Sequence, residues 1–403
     1  MAKKIVKFNE IEDALKDFAK NEKKLKDRNP YLENEGEKFN DIVKEFCISL
    51  KSENSNEDFS WIEKFGVTSE GKKYEPNLNY AMPTHVHGDY KNGLIYLCLL
   101  NPGMQIGDEE SYNNIKSYYE DLANRIEKSL STENVKSDYY FYEQMDLEIK
   151  DDYKNLEKEM VKEYIYDEKT SILTKELLKI KHYLQENEFE GKWEDLKKKD
   201  DLTRHIKYIW EYFKYVLEDF EQKIKDSKYL DNLPDDYKLY GESRENTLKV
   251  TTNKVVNLEL CPFRSNKADM IKNEILNTQF SEFSAYIIWY RIGKYLNDLE
   301  NYRKNIVRQI EKPLFIFRSY SKWQDKLVAT LHKIHNEEID NEIIEGYIEK
   351  INLEFFYHFP NQSGMISQNN LRKFVSKDEF DGIKGLINKQ NWKNKYILSF
   401  LKL

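Results

Sequence analysis

Four short runs of apolar residues recur along the chain, at 94–100, 255–260, 314–317 and 353–359. The run at 94–100 is continuously apolar, which is typical of a strand that is buried on both faces of a parallel sheet. Between and before these runs, apolar residues recur at helical spacing over 267–299, with a break near Asn277, and over 321–335 and 339–348. Strands that alternate with helical crossovers predict an α/β fold. We expect a three-layer α/β/α arrangement around a short four-stranded parallel sheet.

The rest of the chain predicts additions to this core. Residues 9–50 have helical periodicity, and residues 51–92 look like loops with short elements. The stretch 109–245 is almost entirely helical in pattern, and 369–403 is mostly helical. We therefore divide the chain into three parts. These are an N-terminal helical and loop extension at 1–92, a core formed by 93–108 and 246–403, and a helical insertion at 109–245.

Composition places the chain among folded proteins, although 34% of its residues are charged. Aromatic residues make up 14% and supply ample core material, which argues against wholesale disorder. The net charge of -8 and the pI of about 5.7 count against general nucleic-acid binding, which needs a basic surface. The segment 367–403 is nevertheless basic, as is the stretch around 303–333, so a local positive face and an ordinary lysine-rich surface remain equally good interpretations.

The three cysteines, Cys47, Cys98 and Cys261, are far apart in the sequence. This spacing is typical of reduced, buried thiols and argues against an iron–sulfur or structural zinc site. No apolar run approaches the roughly 20 residues that span a bilayer, and the N-terminus has no secretion signal. We therefore expect a cytoplasmic protein that does not contact membranes.

A polar loop follows the first apolar run, where Asn101, Pro102 and Gly103 come directly after Leu100. Ligand sites of open α/β sheets lie at the carboxyl ends of the strands, which is where this loop would stand. An asparagine amide can hold a water molecule without becoming charged, and a glycine lets the backbone approach a ligand closely. The alternative is a plain turn, since Asn-Pro-Gly is common turn chemistry.

A second polar loop follows the last apolar run and reads Pro-Asn-Gln-Ser-Gly-Met over 360–365. Together, and in this order, the two loops resemble the two active-site motifs of the uracil-DNA glycosylase superfamily. The likeness is closest to its mismatch-specific uracil/thymine branch, which carries Asn-Pro-Ser-Gly-Leu-Ser in the second loop. Here Gln362 stands in place of the proline, and one extra residue precedes Ser367.

The resemblance implies roles for the residues of both loops. Asn101 would direct the attacking water, with Pro102 and Gly103 against the base. In the second loop Asn361 would contact the flipped base or its phosphates, and the residues after it would grip the nucleotide backbone and fill the gap in the base stack. Ser363 and Gly364 would bind the backbone of the nucleotide, and Met365 or Ile366 would be the apolar wedge. The alternative is an ordinary surface loop.

A third element lies in the second apolar run, where Asn257 precedes Cys261 and Pro262. Related branches of the superfamily have an asparagine at this spacing that reads the base, so the resemblance implies the same role for Asn257. Glu259 points the same way along the strand and is a rival reader, because a carboxylate accepts from the amino group of cytosine. A structural pair between Glu259 and Arg264 is an equally good interpretation.

Other candidates are weaker on sequence alone. His358 lies shortly before the second loop, and it is a secondary candidate for stabilising the departing base. Arg318 and Tyr320 follow the third apolar run, and Arg372 and Lys373 follow the second loop. All four are candidate contacts to the DNA backbone, although an ordinary surface loop is the better interpretation of Arg318 and Tyr320.

His85 and His87 have the alternate spacing of metal ligands on a strand. No cluster of acidic residues or cysteines completes such a site, so ordinary surface or loop histidines are the better interpretation, and we expect no metal.

The function implied by the resemblance is that of a monofunctional DNA glycosylase that flips a nucleotide out of DNA and releases its base without a cofactor. The target would be uracil, a mismatched thymine or a bulky modified pyrimidine, and the long insertion suggests hypermodified phage DNA. Two alternatives stay open. One is an inactive glycosylase-like fold that binds DNA or a protein partner, and the other is a hydrolase of free nucleosides or nucleotides.

Overall fold

A computed structural model describes 2–32, 84–100, 165–176, 212, 253–262, 276–304, 306, 310–335, 339–359 and 372–373. Within this part of the chain, the strands are β1 (Val86–His87), β2 (Ile95–Leu99), β3 (Tyr166–Asp167), β4 (Val255–Glu259), β5 (Leu314–Phe317), β6 (Phe356–His358) and β7 (Arg372–Lys373). The helices are α1 (Ala2–Lys20), α2 (Glu22–Lys26), α3 (Gln279–Arg303), α4 (Tyr320–His335) and α5 (Asn341–Phe355). A further helical turn occupies 172–176.

The described strands form one sheet in the order β3-β1-β4-β2-β5-β6-β7. The four apolar runs of the sequence are β2, β4, β5 and β6, which are neighbours and all parallel. Every residue of β2 and β4 is buried, which is why β2 reads as a continuous apolar run. β4 differs in that two of its buried residues, Asn257 and Glu259, are polar. The predicted α/β class is confirmed, and the sheet is mostly parallel.

The sheet is wider than the four strands that the sequence predicts. Three two-residue strands extend it, and they are too short to leave a periodic signal in the sequence. β1 pairs antiparallel with β4 and parallel with β3, and β7 pairs antiparallel with β6. β3 lies in the stretch predicted as a helical insertion, so at least the 165–176 part of that stretch packs on the edge of the sheet.

The last strand differs from the prediction at its start. The apolar run from Leu353 predicts a strand, but α5 continues through Phe355 and only Phe356–His358 is extended. The buried residues Ile344, Ile348, Ile351 and Phe355 recur every three or four positions and place one stripe of α5 in the core. Helical packing therefore decides the conformation of this segment.

The two faces of the sheet are distinguished by strand register. Cys98, Leu258 and Phe317 are register partners and share one face. Phe317 packs edge-on against Trp323 of α4, with ring centroids 5.5 Å apart, so this face carries the helices that follow β4 and β5. Asn257 and Glu259 alternate with Leu258 and therefore point to the opposite face.

The core on the helical face is built around α3. All residues of α3 from Phe280 to Gly293 except Glu282 are buried, because α3 packs between the sheet, α1 and α4. Trp289 donates its indole N–H to the Leu327 carbonyl over 3.1 Å and so joins α3 to α4. Gly293 lies against Leu15 of α1, where any Cβ would overlap the Leu15 carbonyl.

Candidate functional site

The four central parallel strands end at one edge of the sheet, and hydrogen bonds hold the residues beyond their ends. The Arg318 N–H donates to the Cys98 carbonyl over 2.8 Å, and the Cys261 N–H donates to the Leu100 carbonyl over 2.8 Å. The Phe359 N–H likewise donates to the Phe317 carbonyl over 3.0 Å. These hydrogen bonds hold the first residues beyond the strands together along the carboxyl edge. Ligand sites in such sheets usually lie at this edge.

Asn257 occupies the middle of β4, and its side chain is only 2% exposed. Its neighbours in register are Leu97 of β2 and His87 of β1. Among the residues that the structure describes, the Nδ2 of Asn257 has no hydrogen-bond partner. A buried amide nitrogen without a partner costs about 1–3 kcal/mol. Such a group is a candidate for binding a ligand that supplies the missing acceptor.

A row of polar side chains extends from Asn257 across the neighbouring strands. The register aligns Asp167 of β3, His87 of β1 and Asn257 of β4 on one face of the sheet. Lys175 joins the first two, since its ammonium lies 3.0 Å from the Asp167 carboxylate and 3.4 Å from Nδ1 of His87. The ammonium has no acceptor capacity, so its contact with Nδ1 favours a neutral imidazole with the proton on Nε2.

The turn after β3 holds Asp167 in place. One carboxylate oxygen accepts from the backbone N–H groups of Lys169 and Thr170 at 2.9 Å each, and the other faces Lys175. Sequence reasoning missed Asp167 and Lys175 as site residues. They lie far from Asn257 in the chain, and the two-residue strands that align them carry no sequence signal.

Glu259 ends β4 two residues after Asn257 and is 1% exposed. Its register partner is Leu99, the last residue of β2, and Asn101 follows two positions later in the chain. The carboxylate thus stands on the same face as Asn257 and nearer the carboxyl edge. Arg264, its alternative structural partner, lies outside the described residues.

Arg318 stands directly after β5, beside the end of β2. Its guanidinium lies over the rings of Tyr212 and Phe359, at 4.8 and 5.6 Å from their centroids. Among the described residues, its Nε has no hydrogen-bond partner. The stacked arrangement fixes the plane of the guanidinium, and a guanidinium is well suited to bind an anion such as a phosphate.

Tyr320 and His358 do not share the surroundings of Asn257. Tyr320 begins α4, and its hydroxyl donates to the Asn352 side chain of α5 over 2.6 Å, while burial raises its pKa. His358 ends β6 on the helical face, in register with Phe317, and pairs with Arg372 of β7. Neither side chain lies on the face that carries Asn257.

The interpretation of His85 and His87 as surface histidines is wrong, because both are completely buried. His85 lies 2.7 Å from the Tyr31 hydroxyl through Nδ1 and 2.8 Å from the Ser284 hydroxyl through Nε2. Ser284 donates its own proton to the Glu259 carbonyl, so it accepts from Nε2–H of His85, and Tyr31 donates to Nδ1. Burial lowers the pKa of His85 to about 3, which keeps it neutral.

Several predicted site residues lie outside the described part of the chain. They are Asn101, Pro102, Gly103, Asn361, Ser363, Gly364, Met365 and Ile366. Arg372 and Lys373 form β7, and the description covers only their backbone. Cys98 and Cys261 are buried thiols that are not in a disulfide bond, and Cys47 lies outside the described residues.

Within the described ranges, neither a metal-binding cluster nor a membrane-spanning helix is present. No group of three or more histidine, cysteine or acidic residues there could hold a metal ion. No described helix is long and apolar enough to cross a membrane. Comparison of the chain with family models, curated proteins and solved structures found no match.

Proposed function

We propose that this protein is a monofunctional DNA glycosylase that hydrolyses the N-glycosidic bond of a pyrimidine nucleotide and leaves an abasic site. The proposal rests on the likeness of the 100–103 and 360–366 loops to glycosylase motifs, and one structural observation carries it further. Asn257 presents a buried amide nitrogen that has no acceptor among the described residues. An amide offers both a donor and an acceptor, which suits the edge of a pyrimidine.

The connections between strands support a three-layer arrangement for the proposed enzyme. The path from β4 through α3 to β5 and the path from β5 through α4 and α5 to β6 run in the same direction along the sheet. Right-handed crossovers therefore put these helices on one face. The path from β2 to β4 runs in the opposite direction along the sheet, which the same rule associates with the opposite face.

This change of direction also favours a ligand site between β2 and β5. In open α/β sheets, ligands bind where neighbouring strands send their connections to opposite faces. Asn101 follows β2 in the sequence, and Arg318 follows β5. Asn101, the candidate residue for holding water, and Arg318, the candidate phosphate ligand, thus follow the two strands that flank the proposed crevice.

In the proposed reaction, a flipped nucleotide enters this crevice and Asn257 hydrogen-bonds the edge of its base. Asn101 directs a water molecule to the sugar carbon, and Arg318 binds a neighbouring phosphate. Asn361, Ser363 and Gly364 hold the nucleotide, and Met365 or Ile366 fills the gap in the base stack. Flipping costs a few kcal/mol, which these contacts offset. The chemistry needs only water as a co-reactant.

A base-release assay tests the proposal directly. The protein is incubated with duplexes and single strands that contain uracil, a G·T mismatch or a hypermodified pyrimidine, and abasic sites are then cleaved with alkali. We expect strand cleavage with the wild type and loss of cleavage with Asn101→Ala. Asn92→Ala is the matched control, because Asn92 is an exposed asparagine that lies before β2, at the other end of the strand.

The results separate the three candidate functions. Alkali-labile sites on no substrate, together with tight DNA binding, would favour the inactive binding module. Release of bases from free nucleosides but not from DNA would favour a nucleoside hydrolase. Cleavage of hypermodified phage DNA at a higher rate than plain uracil DNA would support a role in phage defence, and the reverse order would exclude it.

A further inference from the structure

We infer that Trp323 is a positioning residue for the proposed reaction, because its indole N–H fixes the end of β2, from which the chain continues to Asn101. The inference rests on the proposed function and adds to it a residue that acts without touching the substrate. Trp323 acts through the backbone of Leu99, which precedes the candidate residue for holding water by two positions.

The side chain of Trp323 lies in the first turn of α4 and is completely buried on the helical face of the sheet. Its Nε1–H donates to the Leu99 carbonyl over 3.2 Å. The Phe317 ring packs against the indole with an angle of 72° between the ring planes, which fixes the orientation of the indole. Leu99 is the last residue of β2. A helix side chain therefore holds the final carbonyl of the strand that leads to Asn101.

This hydrogen bond is additional to the pairing of the strands. The Leu99 carbonyl already accepts from the Leu260 N–H over 2.9 Å, on the side of β4. A carbonyl oxygen has two lone pairs, so it can accept from the indole of Trp323 as well. Bonds within the sheet restrain the strand end along the sheet, and the bond from Trp323 adds a restraint across it, toward the layer of helices.

The turn between β5 and α4 connects Trp323 to a second carbonyl of β2. Ser319 in this turn has a φ of 54°, the one positive φ among the described residues other than glycine. The left-handed conformation is unfavourable for a residue with a Cβ and persists where the surrounding contacts enforce it. On one side of Ser319 the Arg318 N–H donates to the Cys98 carbonyl, and on the other side Trp323 donates to Leu99. The turn thus attaches α4 to two consecutive residues of β2.

The proposed chemistry depends on the direction of the Asn101 amide, which directs the attacking water. A misplacement of about 1 Å that originates far from the reacting atoms can lower the rate about 100-fold. A shift of Leu99 is passed along the backbone to Asn101, whereas the Arg318 guanidinium is held separately by the rings of Tyr212 and Phe359. Loss of the indole bond therefore slows the chemical step and leaves the affinity for DNA unchanged.

The experiment compares two buried tryptophans that each donate to a backbone carbonyl. Trp323→Phe removes the bond to Leu99 and keeps an aromatic ring in the core. Trp289→Phe is the matched control, because Trp289 is also completely buried and donates to the Leu327 carbonyl over 3.1 Å, within the layer of helices. Base release is measured in single turnovers with the protein in excess, on the substrate that the wild type accepts.

Affinity and stability are measured on the same proteins. Kd is determined by fluorescence anisotropy on DNA that carries the target as a 2′-fluoroarabino nucleotide, which resists hydrolysis. Urea unfolding gives the stability of each variant. We expect Trp323→Phe to lower the single-turnover rate at least about tenfold, with a Kd within about twofold of the wild type. Trp289→Phe should lose a similar amount of stability and keep the wild-type rate.

Two outcomes would overturn the inference and leave the glycosylase function intact. One is an unchanged rate in Trp323→Phe, and the other is an equal loss of rate in both variants, which would indicate a general effect of core packing. A rise in Kd that accounts for the whole loss of rate would also overturn it, because Trp323 would then affect binding rather than the chemical step.

Hydrogen exchange provides a readout that does not need activity. The Leu260 N–H donates to the same Leu99 carbonyl, so exchange in fragments that cover 255–262, followed by mass spectrometry, reports how firmly the end of β2 is held. Absence of base release by the wild type from every substrate would contradict the proposed function alone. Faster exchange confined to Trp323→Phe would then sustain the positioning of this strand end by Trp323, and equal exchange in the two variants would overturn it.

Discussion

His87 in β1 lies directly opposite Asn257 in β4, and the antiparallel register places the two side chains on the same buried face of the sheet. Directly opposed residues have Cβ atoms about 4.5–5.5 Å apart, so the two polar groups are neighbours. A histidine from a two-residue strand is thereby brought beside the candidate base-reading amide.

Replacing Asn257 with leucine should raise the stability of the protein and lower its activity. Asn257→Leu removes a buried amide nitrogen without a described partner and keeps a similar volume, so we expect the free energy of unfolding to rise by about 1–2 kcal/mol. Base release should fall at least about 100-fold because the contact to the base is lost. Urea unfolding and the alkali-cleavage assay measure the two effects. A large loss of stability would show that Asn257 has a structural role instead.

His85 should make the protein sensitive to mild acid. Its pKa is about 3 in the folded protein and near 6.5 in the unfolded chain, so on acidification the unfolded chain binds the proton first. The stability conferred by the neutral histidine is complete above pH 6.5. It is lost as the pH falls toward 3, by about 1.4 kcal/mol for each pH unit.

The comparison with His85→Gln isolates this effect from the titration of acidic residues. Glutamine retains polar atoms for Tyr31 and Ser284 but does not titrate. The difference in unfolding free energy between wild type and variant should therefore shrink between pH 6.5 and pH 4. A constant difference over that range would show that His85 is not held neutral.

Gly293 should tolerate no side chain where α1 packs on α3. Alanine usually stabilises a helix interior by about 1 kcal/mol over glycine. Here its Cβ would overlap the Leu15 carbonyl, and we expect a net loss of about 1–3 kcal/mol. Asp298→Ala, one turn further along α3, is the control and should be nearly neutral. Equal stability of Gly293→Ala and wild type would contradict the close packing.

Arg318 should contribute to DNA binding through a phosphate contact. Arg318→Ala should weaken binding to all DNA sequences alike, and the slope of log K against log salt should decrease by about 1. Arg303→Ala is the control, because Arg303 is exposed at the far end of α3. Anisotropy titrations at several salt concentrations measure both quantities. An unchanged slope would limit Arg318 to packing against Tyr212 and Phe359.

The sequence by itself determined the central elements of the fold. Continuous apolar runs are characteristic of strands that are covered on both faces, and helical periodicity between them is a local property of the chain. β2, β4 and β5 therefore appear where the pattern predicts them, as do α3 and α4. The same local reading placed Asn257 and Glu259 on one face of a strand, because alternation follows from the extended backbone.

Only the tertiary structure decided which polar residues meet. β1 and β3 have two residues each, and pairing with β4 rather than local preference fixes their conformation. Asp167, Lys175 and His87 come together on that account, and His85 is buried because Tyr31 and Ser284 supply its hydrogen bonds. At Leu353, the apolar run predicts a strand, but packing of one stripe of α5 against the core keeps the chain helical. Such outcomes depend on contacts between distant segments, which local hydrophobic patterns do not encode.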